Sequence, residues 1–348
     1  MLKKLSVIVG IILAILADPV FAGSSQDGEH GKSESFNPGE MITHHIMDSH
    51  EWHFATIGHS HITLPLPVIL YSTTNGLVVF SSSKFHNPEH TYNGYQIHHE
   101  KIHALDKSEK VYDFSITKNV FSMFISAALL LGIFITIGRR YENNKNKAPY
   151  GIQSFFEPII IYIRDDVARS IIGPKKYERF LPYLLTVFFF IWFNNLLGLI
   201  PTGANLTGNI AVTLSLAVLT FLITTFSANK YYWGHIFNPP GVPMALKPLI
   251  VPIEIVGMFT KPFSLMVRLF ANITAGHIII LSLLGLIFVF NSVWASGLSL
   301  PFALFMSFLE LFVAILQAYI FTLLSAMYFA NATEDHHHGH EAEDHLIG

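Results

Sequence analysis

Six side chains in the C-terminal third of this 348-residue chain could do proton chemistry, and they lie in runs that otherwise hold little that is polar. Glu254, Lys261, Arg268 and His277 fall within residues 249–290; Glu310 and Gln317 fall within residues 301–330. An ionisable group inside a bilayer costs a few kcal/mol or more, so each needs a reason to be there. Glu254, Lys261 and Arg268 are spaced by seven, and Ser264 and Asn272 stand four residues either side of Arg268. On a continuous helix these positions form one stripe. Pro262 interrupts its lower part, which leaves Ser264, Arg268 and Asn272 as the firmer stripe. Lys261 and Glu254 also read as a snorkelling pair at the membrane edge.

Arg268 does not read that way. It lies seven residues further into the run, and its guanidinium stays charged at any physiological pH. A permanent charge cannot carry protons, but it holds a facing carboxylate ionised and bars the passage of a cation. His277 differs in kind, because imidazole titrates near neutral pH. Nine residues beyond Arg268, it is about half a turn around the helix and ~13 Å further along. Folding the two runs back on each other through residues 291–300 places His277 13 residues before the connector and Glu310 ten after it. They fall at similar depth and form an expected protonatable pair, of the kind proton pathways use. Gln317 shares a helix face with Glu310 and either reaches toward Arg268 or makes a polar packing contact.

The elements that would position these groups are membrane spans. The chain is 51% hydrophobic and only 13% charged, where a soluble domain carries about a quarter charged residues. A net charge of −3 with no extended Lys/Arg tract excludes nucleic-acid binding. The absence of cysteine removes disulfides, Cys-based zinc sites and thiol nucleophiles. Residues 116–138, 181–200, 209–228, 249–290 and 301–330 are long and apolar enough to cross a bilayer. The connector 139–180 holds nine Lys/Arg, while 201–208 and 291–300 hold none, so the first is expected in the cytoplasm and the others outside. The fourth run would make a rod of roughly 60 Å, twice the ~30 Å hydrocarbon thickness. Prolines 248, 252 and 262 break up its first part. The expectation is one long tilted helix, with two spans turning near Pro262 as the alternative that puts the tail outside.

Residues 1–22, with Lys3 and Lys4, an apolar stretch 5–17 and Val-Phe-Ala before Gly23, have the layout of a cleavable signal peptide; an uncleaved anchor is the alternative. Residues 23–115 are polar. Within them ITLPLPVILYS, Asn75-Gly76 and LVVFSSSKF predict a β-hairpin, since both turn residues tolerate positive φ. The expected fold is an all-α polytopic membrane protein with five transmembrane segments, the last two long and tilted. It carries a His-rich extracytoplasmic extension with the hairpin (23–115), a proton-channel domain (116–330) and an acidic, His-rich tail (331–348).

Two motifs weigh against other chemistry. Gly31-Lys32-Ser33 resembles the end of a phosphate loop, but Gln26 stands where glycine is needed and no strand precedes it, so no nucleotide site is expected. Twelve of the nineteen histidines lie between His30 and His103, and five lie in the tail. HHIMDSHEWH at 44–53 could bind zinc or copper, yet its spacing matches no strong motif and reads as a weakly chelating surface. No metal and no cofactor are expected.

KPFSLMVRLFANITAGH around Arg268 and LELFVAILQAYIFTLLSAMY around Glu310 resemble the last two membrane helices of the a subunit of F-type ATP synthases, and FNNLLGLIP at 193–201 resembles an earlier span. The resemblance covers roughly residues 115–330. It implies that Arg268 is the stator arginine facing a rotating c-subunit ring, with Asn272 and Gln317 as polar neighbours. It implies that His277 and Glu310 form the pair of the outer half-channel, and that Ser264, Lys261 and Glu254 lie near the cytoplasmic exit. It further implies a bacterial inner-membrane protein with periplasmic mature N-terminus and cytoplasmic C-terminus, b-type peripheral stalk partners, and no catalytic site on this chain. Ala271 departs from the glycine common before Asn272, and the 23–115 extension lies outside the usual family core. A self-contained proton- or sodium-coupled secondary transporter would predict internal repeats around a midplane site, and an intramembrane metalloenzyme would need its histidines in the membrane. The sequence offers neither.

Overall fold

A computed structural model describes residues 39, 47–57, 60–87, 90–98, 100–106, 108–143, 148–200, 203–240, 243–290 and 293–334. The expected signal peptide and nearly all of the tail lie outside the described residues. Eight short strands come first: β1 (Glu51–Ile57), β2 (Ser60–Pro65), β3 (Pro67–Ser72), β4 (Gly76–Ser81), β5 (Thr91–Tyr92), β6 (Tyr95–His98), β7 (Lys101–Ala104) and β8 (Val111–Asp113). Helices follow: α1 (Lys118–Asn143), α2 (Ile152–Tyr162), α3 (Tyr177–Gly198), α4 (Ile210–Ser227), α5 (Lys230–Phe237), α6 (Lys247–Phe290) and α7 (Val293–Thr333). α2 runs on through a π-helical stretch, Ile163–Arg169, into Ser170–Ile172. Five helices, α1, α3, α4, α6 and α7, are long and apolar enough to cross a membrane.

Two compact units can be distinguished. One comprises Met1–Leu129, Phe193–Asn209 and Asn272–Ala314; the other comprises Leu130–Trp192, Ile210–Ala271 and Ile315–Gly348. In the first, the expected hairpin is β3 and β4, closed by the pair Ser72 and Gly76. Only half of the turn expectation is met: Gly76 sits at φ +70°, while Asn75 keeps negative φ and its amide donates to the Tyr95 hydroxyl at 3.3 Å. The hairpin is also one of three small sheets, β1-β2, β4-β3-β8 and β5-β6-β7. Alternation along β3 turns Val68, Leu70 and Ser72 inward, and Val68 and Leu70 join Phe85, Tyr95 and Ile102 in a core that is cut off from water.

This β-module is fastened to α1 rather than strung from it. The Lys118 amide donates to the Ser49 carbonyl at 2.8 Å, and the Asn119 amide donates to the Asp48 carboxylate at 3.1 Å. Asp48 thus caps α1 from 71 residues away, satisfying a helix-end donor and placing negative charge at the positive end of the dipole. Behind the cap, His50 Nε2 lies 3.0 Å from Asp113 Oδ2, and its Nδ1 is 3.9 Å from Glu100. Burial alone would push this imidazole down. Its bond to Asp113 and the charges of Asp113 and Glu100 outweigh that and hold it up at about 9.

The second unit is packed by small and aromatic residues. Ala318, Ala326, Ala332, Thr322 and Ser325 along α7 are fully buried, which lets helix backbones approach closely. Phe180 stacks on Phe329 with centroids 4.7 Å apart, and the Tyr183 and Thr220 hydroxyls bond at 2.7 Å.

Two sequence expectations are corrected by the long helices. α6 is unbroken from Lys247 to Phe290, with Pro252 and Pro262 inside it, so there is no turn near Pro262 and its prolines do not break up the first part. α7 likewise carries Pro301 inside and begins at Val293, leaving only residues 291–292 between the helices instead of a ten-residue connector. A proline removes one backbone bond, but in an apolar surround no water competes for the rest, and helices tolerate it there.

Candidate functional site

The expected proton groups fall into two settings. In the first unit, His277 on α6 and Glu310 on α7 meet with Nδ1 and Oε1 2.9 Å apart; their side chains are 15% and 4% exposed. Neither Glu310 oxygen has a well-aligned hydrogen-bond partner among the described residues. A buried acceptor left in that state is costly, and it is suited to a group that must take up and give away a proton.

Two residues that the sequence did not single out shape this pocket. A Cβ on Gly276 would lie 2.8 Å from Glu310 Oε1, closer than real atoms approach, and a tight 3.1 Å from Cδ. The glycine therefore makes the room in which the carboxylate sits. Asn195, on α3, donates its amide to the Ala314 carbonyl at 3.1 Å and accepts from the Thr207 hydroxyl at 2.7 Å. That ties α7 in place one turn beyond Glu310. The signals available were a glycine directly before the histidine and a pair of asparagines in a charge-free span.

In the second unit, Arg268 lies on an exposed face of α6. Among the described residues no carboxylate pairs with it. Ser264, four residues before Arg268 along α6, is exposed as well; Asn272, in the first unit, is also exposed. Gln317, by contrast, is buried at 2% exposure. Toward the start of α6, Lys261 Nζ lies 6.0 Å from the centre of the Tyr328 ring, a cation-π distance. Lys261 and Tyr328 line a small cavity together with Thr220, Thr224, Tyr232 and Asn331. Burial, aided by the charge of Glu254, pushes the Tyr232 phenol above its ordinary value, which places Glu254 within electrostatic reach of Tyr232.

The structure thus brings His277 to Glu310 and Lys261 to a polar cavity, and among the described residues pairs no carboxylate with Arg268. Of the expected His-rich cluster, His50 is tied to Asp113 and His53 is exposed, while positions 44 and 45 lie outside the described residues. Among the described residues no three His, Asp or Glu side chains converge to hold a metal ion.

A model of the ATP synthase A chain matches residues 120–330, and a second model, described as a domain of unknown function, matches residues 41–123. The ATP synthase subunit a of Chloroherpeton thalassium is 40% identical, over 99% of this chain and 96% of its own length. An ATP synthase subunit a 2 of Chlorobaculum tepidum is 43% identical over 91% of this chain and 79% of its own, and that of Prosthecochloris aestuarii is 40% identical over 96% and 91%. A family match over residues 120–330 and relatives about 40% identical nearly end to end place this chain in the ATP synthase A chain family.

Proposed function

We propose that Arg268 is the fixed charge of a proton path in this chain, which is the non-catalytic, proton-translocating stator subunit of an F-type ATP synthase and works with the rest of that enzyme. The observation that carries the reading is the guanidinium on an exposed face of an apolar 44-residue helix, with no carboxylate paired to it among the described residues. A charge in that position is costly unless a carboxylate from outside the chain meets it. The carboxylates of a rotating c-subunit ring would supply it, with b-type stalk subunits holding this chain still against the ring.

The steps then follow from the chemistry of each group. A proton reaching His277 from the outer side passes to Glu310 and on to a ring carboxylate, which becomes neutral and can face lipid. The ring turns until a protonated carboxyl nears Arg268 from the other side. The guanidinium favours the ionised form, so the proton leaves inward past Ser264, Lys261 and Glu254 and the cavity at Tyr232 and Tyr328. Asn272 and Gln317 are the polar neighbours of the arginine. Since Arg268 never releases its own proton, the two water-filled paths do not join. Each proton falling through ~100 mV supplies about 2.3 kcal/mol. At ~1.5 Å per residue α6 and α7 are about twice as long as the ~30 Å hydrocarbon layer is thick, so both run steeply inclined, in a bacterial inner membrane with the β-module outside and the C-terminus inside. A self-contained secondary transporter finds no support, because the relatives are subunits of a synthase.

The test is Arg268→Ala in the assembled enzyme, reconstituted in vesicles. ATP-driven proton pumping is expected to vanish while the complex still assembles. Undiminished coupled pumping would overturn the reading.

A further inference from the structure

The hairpin of β1 and β2 is a two-stranded sheet of its own, and it presents an apolar face. Trp52 pairs with Leu64 across the ladder, and Ile62 stands two residues along from Leu64, so the three share one side. The bulge between His53 and Ala55 falls at Phe54, whose ring stacks on Trp52 at 5.2 Å. Phe54, Ile62 and Leu64 are 41%, 49% and 39% exposed. Residues 52–71 contain no Asp, Glu, Lys or Arg. An isolated two-stranded hairpin is marginal in water at best and needs a surface to lie on.

What that surface is follows from where Trp52 sits. Its ring meets Phe121 edge to face at 5.8 Å, and Phe121 is in the first turn of α1. Phe124 and Ile125, one turn further, are exposed at 54% and 39%. The apolar face of the hairpin is therefore continuous with the outward stripe of a helix long and apolar enough to cross the bilayer. Tryptophan with other aromatic side chains at the mouth of such a helix is the composition of a membrane interface.

We propose that the β1–β2 hairpin is a lipid-binding element: Trp52, Phe54, Ile62 and Leu64 lie in the interface of the leaflet that α1 enters, seating the β-module on the membrane surface. It rests on the reading of α1 as a membrane span, and needs nothing from the proton path. The rigid cap made by Asp48 and Ser49 holds the hairpin at that height.

Because the chain has no cysteine, single spin labels at Phe54→Cys and Ile62→Cys can be placed in the assembled synthase, reconstituted in phospholipid vesicles with its other cysteines removed. Lys84→Cys, on the exposed part of the module, serves as the water reference and Ile125→Cys as the lipid reference. Labels at 54 and 62 are expected to collide with oxygen rather than with a water-soluble nickel chelate, at depths of about 5–10 Å below the phosphates. Nickel access equal to that at 84 would overturn the proposal. Exclusion of both reagents would overturn it as well, since a protein partner would then cover the face. Nickel access at 125 would bring down the reading of α1 as a span, and the proposal with it.

Discussion

His277 and Glu310 are enclosed and 2.9 Å apart, whereas Arg268, nine residues earlier on the same helix, stands on an exposed face and among the described residues meets no carboxylate. The contrast follows from what each group must do. A group that changes its protonation has to be shielded from bulk water and given an internal partner, or protons would exchange with it at random. A group whose charge never changes needs no partner in its own chain; its use lies in being offered to another. The enclosure of the pair is built from small details, a glycine under the carboxylate and an asparagine on the next carbonyl.

If enclosure is what makes the pair work, exchanging its members should matter less than removing one. Glu310→Gln is expected to lower ATP-driven pumping about a hundredfold or more, the scale of losing one positioned proton-transfer group. The double exchange His277→Glu with Glu310→His keeps one imidazole and one carboxyl in the same pocket, and is expected to recover a measurable part of the rate. Initial pumping rates in vesicles, at equal amounts of assembled enzyme, decide this. A double exchange no better than the worse single variant would show that the two positions are not a pair.

A smaller effect is expected from the room left for the carboxylate. In Gly276→Ala the new Cβ would lie 2.8 Å from Oε1, so Glu310 must turn away. Overpacking of this kind costs about 1 kcal/mol at the mild end, or roughly fivefold in rate. Gly276→Val should cost more. The same rate measurement applies, and pumping by both variants at the unaltered rate would show that the carboxylate has no need of its present position.

These groups were unequally legible in the sequence. Arg268 was plain, because a charge in an apolar run stands out whatever the fold. The meeting of His277 with Glu310 could be reached by counting residues from a shared connector; the pair forms although α7 begins eight residues before its expected start while α6 ends at Phe290 as expected. Gly276 and Asn195 could not be read. Their partners, Glu310 and Ala314, lie 34 and 119 residues away, and only the packing of helices decides which atoms meet. The prolines misled for a physical reason: in water Pro262 would end a helix, and in an apolar surround it does not. In the β-module the Asn75-Gly76 hairpin was legible from local turn chemistry. The His50 tie to Asp113, 63 residues on, was not.

That tie supplies the last test, the one with no expected effect on pumping, because it repeats the chemistry of the membrane pair in a place where no proton need travel. His50 is 3% exposed and bonded to Asp113 at 3.0 Å, close to the 2.9 Å of His277 and Glu310. Its value in the fold, about 9, lies above the ordinary 6.5, so the charged form is the one the fold prefers. The stability it contributes is fully present below pH 6.5 and is lost as pH rises through 9. A rise of this size corresponds to about 3 kcal/mol. Asp113, depressed by the bonds from His50 and Ser115 despite its burial, gives the opposite limb: its contribution holds above the ordinary carboxylate range and is lost in acid. Amide exchange at Val68–Leu70 and Ile102 in the intact enzyme, corrected for intrinsic rates, should therefore speed up between pH 6.5 and 9, and His50→Gln should flatten that slope while pumping at neutral pH stays unchanged. An equal slope in His50→Gln would remove the tie as its cause. Lost pumping in a well-folded His50→Gln enzyme would break the contrast itself, by showing that a buried His–carboxylate pair outside the membrane belongs to the proton path as well.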